Sequence, residues 1–167
     1  MSLNTFIIIP SRIGSTRLIN KPLVDISGKS LIQRVYENAL LTSTKVYIAT
    51  DSVIIKEHIK PLTSDVILTS PNHISGTDRV YEAAEKLELE DDALIINLQG
   101  DEPFMPIEVV NGLIETYKKN TSQIVTAAHR ITKRSLITDP NCVKAIIDDQ
   151  SCAVDFLRNI DYVDGTQ

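Results

Sequence analysis

"FIIIPSRIGSTRLINKPL", residues 6–23, decides the reading of this chain. Phe6-Ile7-Ile8-Ile9 is an apolar, β-branched run and reads as a buried strand. Pro10 and Ser11 close it, and Arg12, Gly14, Ser15, Thr16, Arg17 and Lys21 come next on a loop of small residues. Such a loop suits a polyphosphate. Gly14 allows close backbone approach, and backbone amides with the Ser15 and Thr16 hydroxyls can donate to phosphate oxygens. Arginine adds a planar fork and lysine a point charge. On spacing alone a solvated basic turn is the alternative. Neither the P-loop nor the dinucleotide-binding glycine pattern is present.

Outward from this stretch, strand-like runs alternate with helix-period segments. Ser30 and Gln33 have capping-box spacing and open a helix whose apolar face is Leu31, Ile32, Val35, Tyr36, Ala39 and Leu40. Val46 to Ala49 is a second strand, and Thr50-Asp51-Ser52 offers N-caps for a helix running to about His58. Val66 to Leu68 is a third. Ser75-Gly76-Thr77 opens a helix carrying Val80, Ala83, Ala84 and Leu87. Ala93 to Leu98 reads as a strand buried on both sides. Pro106 fits the first turn of a helix carrying Val109, Val110, Leu113, Ile114 and Tyr117. Gln123–Ala128 and Val143–Ile147 read as later strands.

This order predicts an α/β fold, a mostly parallel sheet with helices on both faces, in one domain over residues 1–167. Ligands of such sheets bind beyond the carboxyl ends of the strands. The residues just past the strand ends therefore matter most: Arg12 to Lys21, then Thr50-Asp51, then Gln99-Gly100-Asp101-Glu102. Asp101 after a buried strand suits Mg²⁺, which takes one or two protein carboxylates with phosphate oxygens and water; a turn cap is the plainer role. Glu102 points another way and is structural. His73 reads as a surface or packed histidine, and Ser75 or Thr77 alone as an ordinary N-cap.

The background is acidic. A net charge of −5 and a pI near 5.2 argue against bulk binding to nucleic acid or an anionic membrane. No apolar stretch approaches the roughly 20 residues that span a bilayer, and no signal peptide is read at the N-terminus. Cys142 and Cys152 do not form a metal-type pair and are expected as small core residues in a reduced, cytosolic setting.

Five stretches carry a resemblance: "IIIPSRIGSTRLINKPLVDISGKSLIQRV", "YIATDS", "HISGTDRVYEA", "INLQGDEPFMP" and "DPNCVKAII". Together they resemble the nucleotidyltransferases that activate sugars, and most closely the 3-deoxy-manno-octulosonate (Kdo) cytidylyltransferase, or CMP-Kdo synthetase, family. The basic loop is shared with sialic-acid cytidylyltransferases; the SGTDR and QGDEP stretches are more specific to the Kdo enzymes. The resemblance implies a nucleotide-diphospho-sugar transferase fold and the reaction CTP + Kdo → CMP-Kdo + pyrophosphate. It also implies Mg²⁺, a cytoplasmic homodimer and a role in lipopolysaccharide biosynthesis. By matching motif, Arg12 and Lys21 would hold the CTP phosphates, with Arg17 supporting the loop formed with Pro10, Ser11, Ser15 and Thr16. Ser75, Gly76 and Arg79 would lie near the nucleotide, with Thr50 and Asp51 close by. Asp101 would bind Mg²⁺ and act with Arg12 and Lys21 in catalysis. Gln99 would approach the sugar.

Two departures qualify the match. The family's C-terminal third, with a second metal-binding aspartate and much of the sugar pocket, has no counterpart in this sequence. Relatives also carry Pro-Gly before the lysine where this chain has Ile19-Asn20, which would alter the loop's rigidity. The alternatives are a CTP-binding but catalytically incomplete module, and a cytidylyltransferase for 8-amino-Kdo or sialic acid.

Overall fold

The computed structural model describes residues 3–14, 18–42, 44–120 and 122–159. A first unit, Met1–Asn120, runs β1 (Thr5–Ser11), a 3-10 turn (Lys21–Leu23), β2 (Asp25–Ile26), β3 (Lys29–Ser30) and α1 (Leu31–Leu40). It continues through β4 (Lys45–Thr50), α2 (Val53–Ile59), β5 (Val66–Leu68), α3 (Gly76–Lys86), β6 (Leu94–Asn97) and α4 (Ile107–Lys119). A second unit, Thr121–Gln167, holds α5 (Arg134–Thr138), β7 (Lys144–Ile147) and β8 (Ala153–Leu157).

In the first unit, four strands pair in parallel in the order β5-β4-β1-β6. Side chains alternate between the two faces, as the period of a strand requires. Ile7, Ile9, Val46 and Ile48 pack with α1, α2 and Val110 of α4. Phe6, Ile8, Tyr47 and Ala49 pack with Val80, Ala83 and Ala84 of α3. This is the expected α/β sheet with helices on both faces. The strand order also sets the site. From β1 the chain moves to β4 and β5, then returns so that β6 lies on the other side of β1. A crevice opens at such a switch point, outside the carboxyl ends of β1 and β6.

The helix starts obey their caps. Ser52 Oγ accepts from Ile55 N at 3.4 Å. Ser75 Oγ accepts from Asp78 N while Asp78 Oδ2 accepts from Ser75 N, both at 3.1 Å, completing a capping box. The Ser30–Gln33 spacing gives half a box. Ser30 Oγ accepts from Gln33 N at 3.3 Å, but the Gln33 amide turns outward to Glu37. Pro106 stands at the N-cap of α4, one position earlier than the first turn.

Several expectations need correction. β6 is parallel but forms an edge of this sheet, so Leu94, Ile95 and Ile96 are half-buried and Asn97 is exposed rather than enclosed on both sides. Gln123–Ala128 forms no strand; among the described residues it has no ladder partner to satisfy its backbone. The expected Val143–Ile147 strand exists as β7 but pairs antiparallel with β8, outside the parallel sheet. Cys142 and Cys152 are not core residues: each sits in a turn, Cys142 half-buried and Cys152 exposed. In the second unit the burial falls instead on Lys144, whose ammonium donates to the carbonyls of Asp139 and Cys142 at 2.7 and 2.8 Å and to that of Arg158. The β2–β3 hairpin turns through Ser27 and Gly28, both with positive φ.

Ile48 is fully buried in β4 between α1 and α2. Ile48→Ala should lower unfolding free energy by about 2–5 kcal/mol, and Ile48→Val by about 0.5–1.5 kcal/mol, in urea titrations. An alanine variant as stable as wild type would contradict a sheet packed on this face.

Candidate functional site

A cleft of about 260 Å³ lies at the carboxyl edge of β1 and β6. Pro10, Ser11 and Arg12 enter it from the end of β1, and Gln99, Gly100 and Asp101 from the end of β6. The start of α3 contributes Ser75, Gly76 and Arg79, preceded by His73 and Ile74. Lys21 and Pro22 complete the wall from the 3-10 turn.

Glycine allows this convergence. A Cβ on Gly100 would lie 2.6 Å from the Pro10 carbonyl oxygen, and one on Gly76 would lie 3.2 Å from Pro10 Cγ. The basic loop reaches Lys21 through Asn20, which adopts the left-handed conformation at φ 53° and ψ 34°. Asparagine tolerates that region better than most residues with a side chain. The expected change in loop rigidity at Ile19-Asn20 therefore leaves the turn itself intact. On the other flank, Asn38 Nδ2 donates to Met105 O at 2.7 Å and ties α1 to the segment just beyond Asp101.

The charges fall into two kinds. Lys21 Nζ and Asp101 Oδ2 pair at 2.5 Å across the cleft, with the side chains 38% and 51% exposed. Arg79, by contrast, is buried: its guanidinium donates to Asp51 Oδ2 at 2.9 Å and to Thr69 Oγ1 at 2.5 Å. Asp51 Oδ1 also accepts from Ile13 N at 3.4 Å, so this carboxylate joins α3 to the basic loop. Ser11 Oγ is buried and has no hydrogen-bond partner among the described residues. Burial, reinforced by the charge of Asp101, raises the Glu102 carboxyl above its ordinary value.

Behind the His73 wall, Glu82 gathers three donors: Lys86 Nζ at 2.7 Å, Ser70 N at 2.8 Å and His73 Nε2. Lys86 first and the Ser70 amide second hold the Glu82 carboxyl at about 2, far below its ordinary 4.5.

Of the residues expected at the site, the structure brings Pro10, Ser11, Arg12 and Lys21 together with Ser75, Gly76, Arg79, Gln99 and Asp101. Thr50 and Asp51 do not line the cleft: Thr50 is fully buried, and Asp51 is engaged by Arg79. Ser15, Thr16 and Arg17 lie outside the described residues. Sequence reasoning read His73 as a surface or packed histidine and named Gly100 only within the Gln99–Glu102 stretch, giving neither a role at the site. The signal for Gly100 was its position directly after a strand at the ligand edge. A divalent cation fits Asp101 by donor chemistry. Mg²⁺ takes one or two protein carboxylates with phosphate oxygens and water; among the described residues no group of three or more His, Cys, Asp or Glu could hold a metal ion.

Comparison with known proteins agrees with this geometry. A family model described as cytidylyltransferase matches residues 6–163. The chain belongs to the cytidylyltransferase family. It is 40% identical over 158 residues to the 3-deoxy-manno-octulosonate cytidylyltransferase of Saccharophagus degradans, covering 93% of this chain and 62% of that protein. It is 39% identical over 160 residues to the 8-amino-3,8-dideoxy-manno-octulosonate cytidylyltransferase of Shewanella loihica, covering 93% and 65%. The solved structure of a CMP:2-keto-3-deoxy-manno-octonic acid synthetase complexed with CTP matches with a TM-score of 0.80 at 32% identity, over 96% of this chain and 67% of that one. The chain thus spans less than two thirds of the length of the two curated relatives. Among its described residues no helix is long and apolar enough to cross a membrane.

Two outcomes are expected from the geometry. Gly100→Ala forces a carbon against backbone and should cost about 1–3 kcal/mol of stability by urea titration. Glu82, with a folded pKa below its ordinary value, stabilises the fold above pH 4.5, and that contribution is lost as pH falls from 4.5 through about 2. Between neutral pH and pH about 3, wild type should therefore lose more stability than Glu82→Gln; equal losses would contradict the clamp.

Proposed function

We propose that this chain binds CTP and belongs to an enzyme that activates 3-deoxy-manno-octulosonate, giving CMP-Kdo and pyrophosphate. The observation that carries the reading is the Lys21–Asp101 pair: a cation and a carboxylate 80 residues apart meet in one cleft at the switch point. Those are the two group types a nucleotide triphosphate requires, one for the phosphates and one for their metal. Arg12 on the same cleft supplies a second cation.

In this reading the anomeric hydroxyl of the sugar attacks the α-phosphate and pyrophosphate leaves. Arg12 and Lys21 hold the phosphates and stabilise the charge that develops on the leaving group, the kind of electrostatic contribution that dominates such chemistry. A Mg²⁺ ion held by Asp101 and phosphate oxygens would supply further charge neutralisation. Ser11, Ser75 and Gly76 shape the nucleotide wall, with Pro10 beneath it, and Gln99 faces the sugar. Arg79 supports the wall through Asp51 and Thr69, and Thr50 lies within the sheet beneath. By motif, Ser15, Thr16 and Arg17 would add further donors to the phosphates. The family likeness further supports a cytoplasmic homodimer that serves lipopolysaccharide biosynthesis. The Shewanella loihica relative supports 8-amino-Kdo as a second sugar.

The test is pyrophosphate release from CTP by the purified chain with Mg²⁺, offered Kdo and 8-amino-Kdo separately. Sugar-dependent release is expected. It should fall about 10²- to 10³-fold in Lys21→Ala, and should vanish with EDTA and in Asp101→Ala. CTP binding by calorimetry without release would identify a CTP-binding module that lacks turnover. Absence of both CTP binding and pyrophosphate release would overturn the reading.

A further inference from the structure

His73 and Glu82 belong to no part of the assignment above, yet His73 lines the cleft and Glu82 stands behind it. The loop from Leu68 to His73 is tied to α3 at four points. Lys86 Nζ donates to Leu68 O at 2.7 Å, Arg79 to Thr69 Oγ1 at 2.5 Å and Ser70 N to Glu82 Oε2 at 2.8 Å. His73 Nε2 meets the same Glu82 oxygen. The imidazole lines the cleft with its side chain 22% exposed. The carboxylate occupies Nε2, and Nδ1 has no protein partner among the described residues. A carboxylate that fixes one ring nitrogen sets the orientation of the ring and leaves the other nitrogen for a ligand.

The charge pattern says which part of the ligand. Arg12, Lys21 and Asp101 stand on the phosphate side. At the start of α3 the Asp78 carboxylate already satisfies the Ser75 amide and accepts from its hydroxyl at 2.8 Å. The capping box thus engages the Ser75 amide and hydroxyl and the Asp78 amide, and the exposed Asp78 carboxylate places a negative charge at this helix start. An uncharged group suits it better than a phosphate.

We propose that His73 is a nucleoside-contacting residue of the cleft, through a hydrogen bond from or to its Nδ1, and that Glu82 is the residue that positions it. The proposal rests on the CTP-binding reading above.

The experiment compares CTP with inorganic pyrophosphate, a probe that has the phosphates and no nucleoside, by calorimetry. Wild type should bind both. His73→Ala should weaken CTP about tenfold and leave pyrophosphate unchanged, consistent with one lost hydrogen bond. His73→Gln should recover part of the loss, since its amide can still donate or accept. Glu82→Gln should weaken CTP by a smaller factor with pyrophosphate again unchanged. Circular dichroism and thermal unfolding confirm that each variant is folded. The imidazole resonance of His73 in wild type should shift on addition of CTP and not of pyrophosphate, with His58 and His129 as internal references. CTP affinity in His73→Ala equal to wild type, or a fall by the same factor for CTP and pyrophosphate, would overturn the proposal while leaving CTP binding intact. A wild type that binds neither probe sinks the CTP reading and this one together.

Discussion

Two segments from distant parts of the sequence, around Gly76 and Gly100, converge on Pro10. It closes the central strand, and the backbones of Gly76 and Gly100 lie close enough that a side-chain carbon at either position would press on it. This approach fixes the distance between the ends of β1 and β6 and the start of α3. The basic loop, the Asp101 turn and the SGTDR helix start are therefore parts of one surface. The strand order makes the crevice; the two glycines let it close to the width of a small ligand.

The polar groups around that crevice differ in what a ligand can ask of them. An exposed ion pair such as Lys21–Asp101 contributes about 0–1 kcal/mol. Both groups can leave it for a phosphate and a cation at little cost. Removing one partner of a buried pair such as Arg79–Asp51 costs about 3–5 kcal/mol, because the other charge is left desolvated. The first pair is suited to exchange and the second to support. In a chain of net charge −5, the cations that face the cleft are thus kept available by weak pairing, while the buried arginine holds the framework.

Much of this is legible in the amino-acid sequence. The isoleucine run, the period-3.6 apolar faces and the Ser52 and Ser75 caps gave the strand–helix alternation, and with it the edge on which ligands bind. The direction of the Arg79 side chain was not legible. An arginine three residues inside a helix start reads equally as a ligand contact or a strut, and only the position of Asp51 and Thr69 decides it. The β2–β3 hairpin carried a signal in Ser27-Gly28, but strands this short have no periodicity to detect. Gln123–Ala128 shows the converse: local strand character is insufficient where the described residues offer no ladder partner. The turn positions of Cys142 and Cys152 arise from backbone hydrogen bonding around Asp139 and Asp148, which residue type does not reveal.

Helix α3 explains how one element serves both the core and the cleft. Val80, Ala83 and Ala84 pack on the sheet, while Arg79, Glu82 and Lys86 lie at spacings of three and four along an adjacent stripe. Those three side chains bind successive positions of the preceding loop, at Thr69, Ser70 and Leu68. The loop thereby acquires the rigidity of the helix without secondary structure of its own. The helix in turn is located by the sheet through small alanines that allow close packing. The wall of the cleft is therefore referenced to the hydrophobic core through side chains a single helical turn apart, and its position depends on that packing rather than on the loop's own conformational preference.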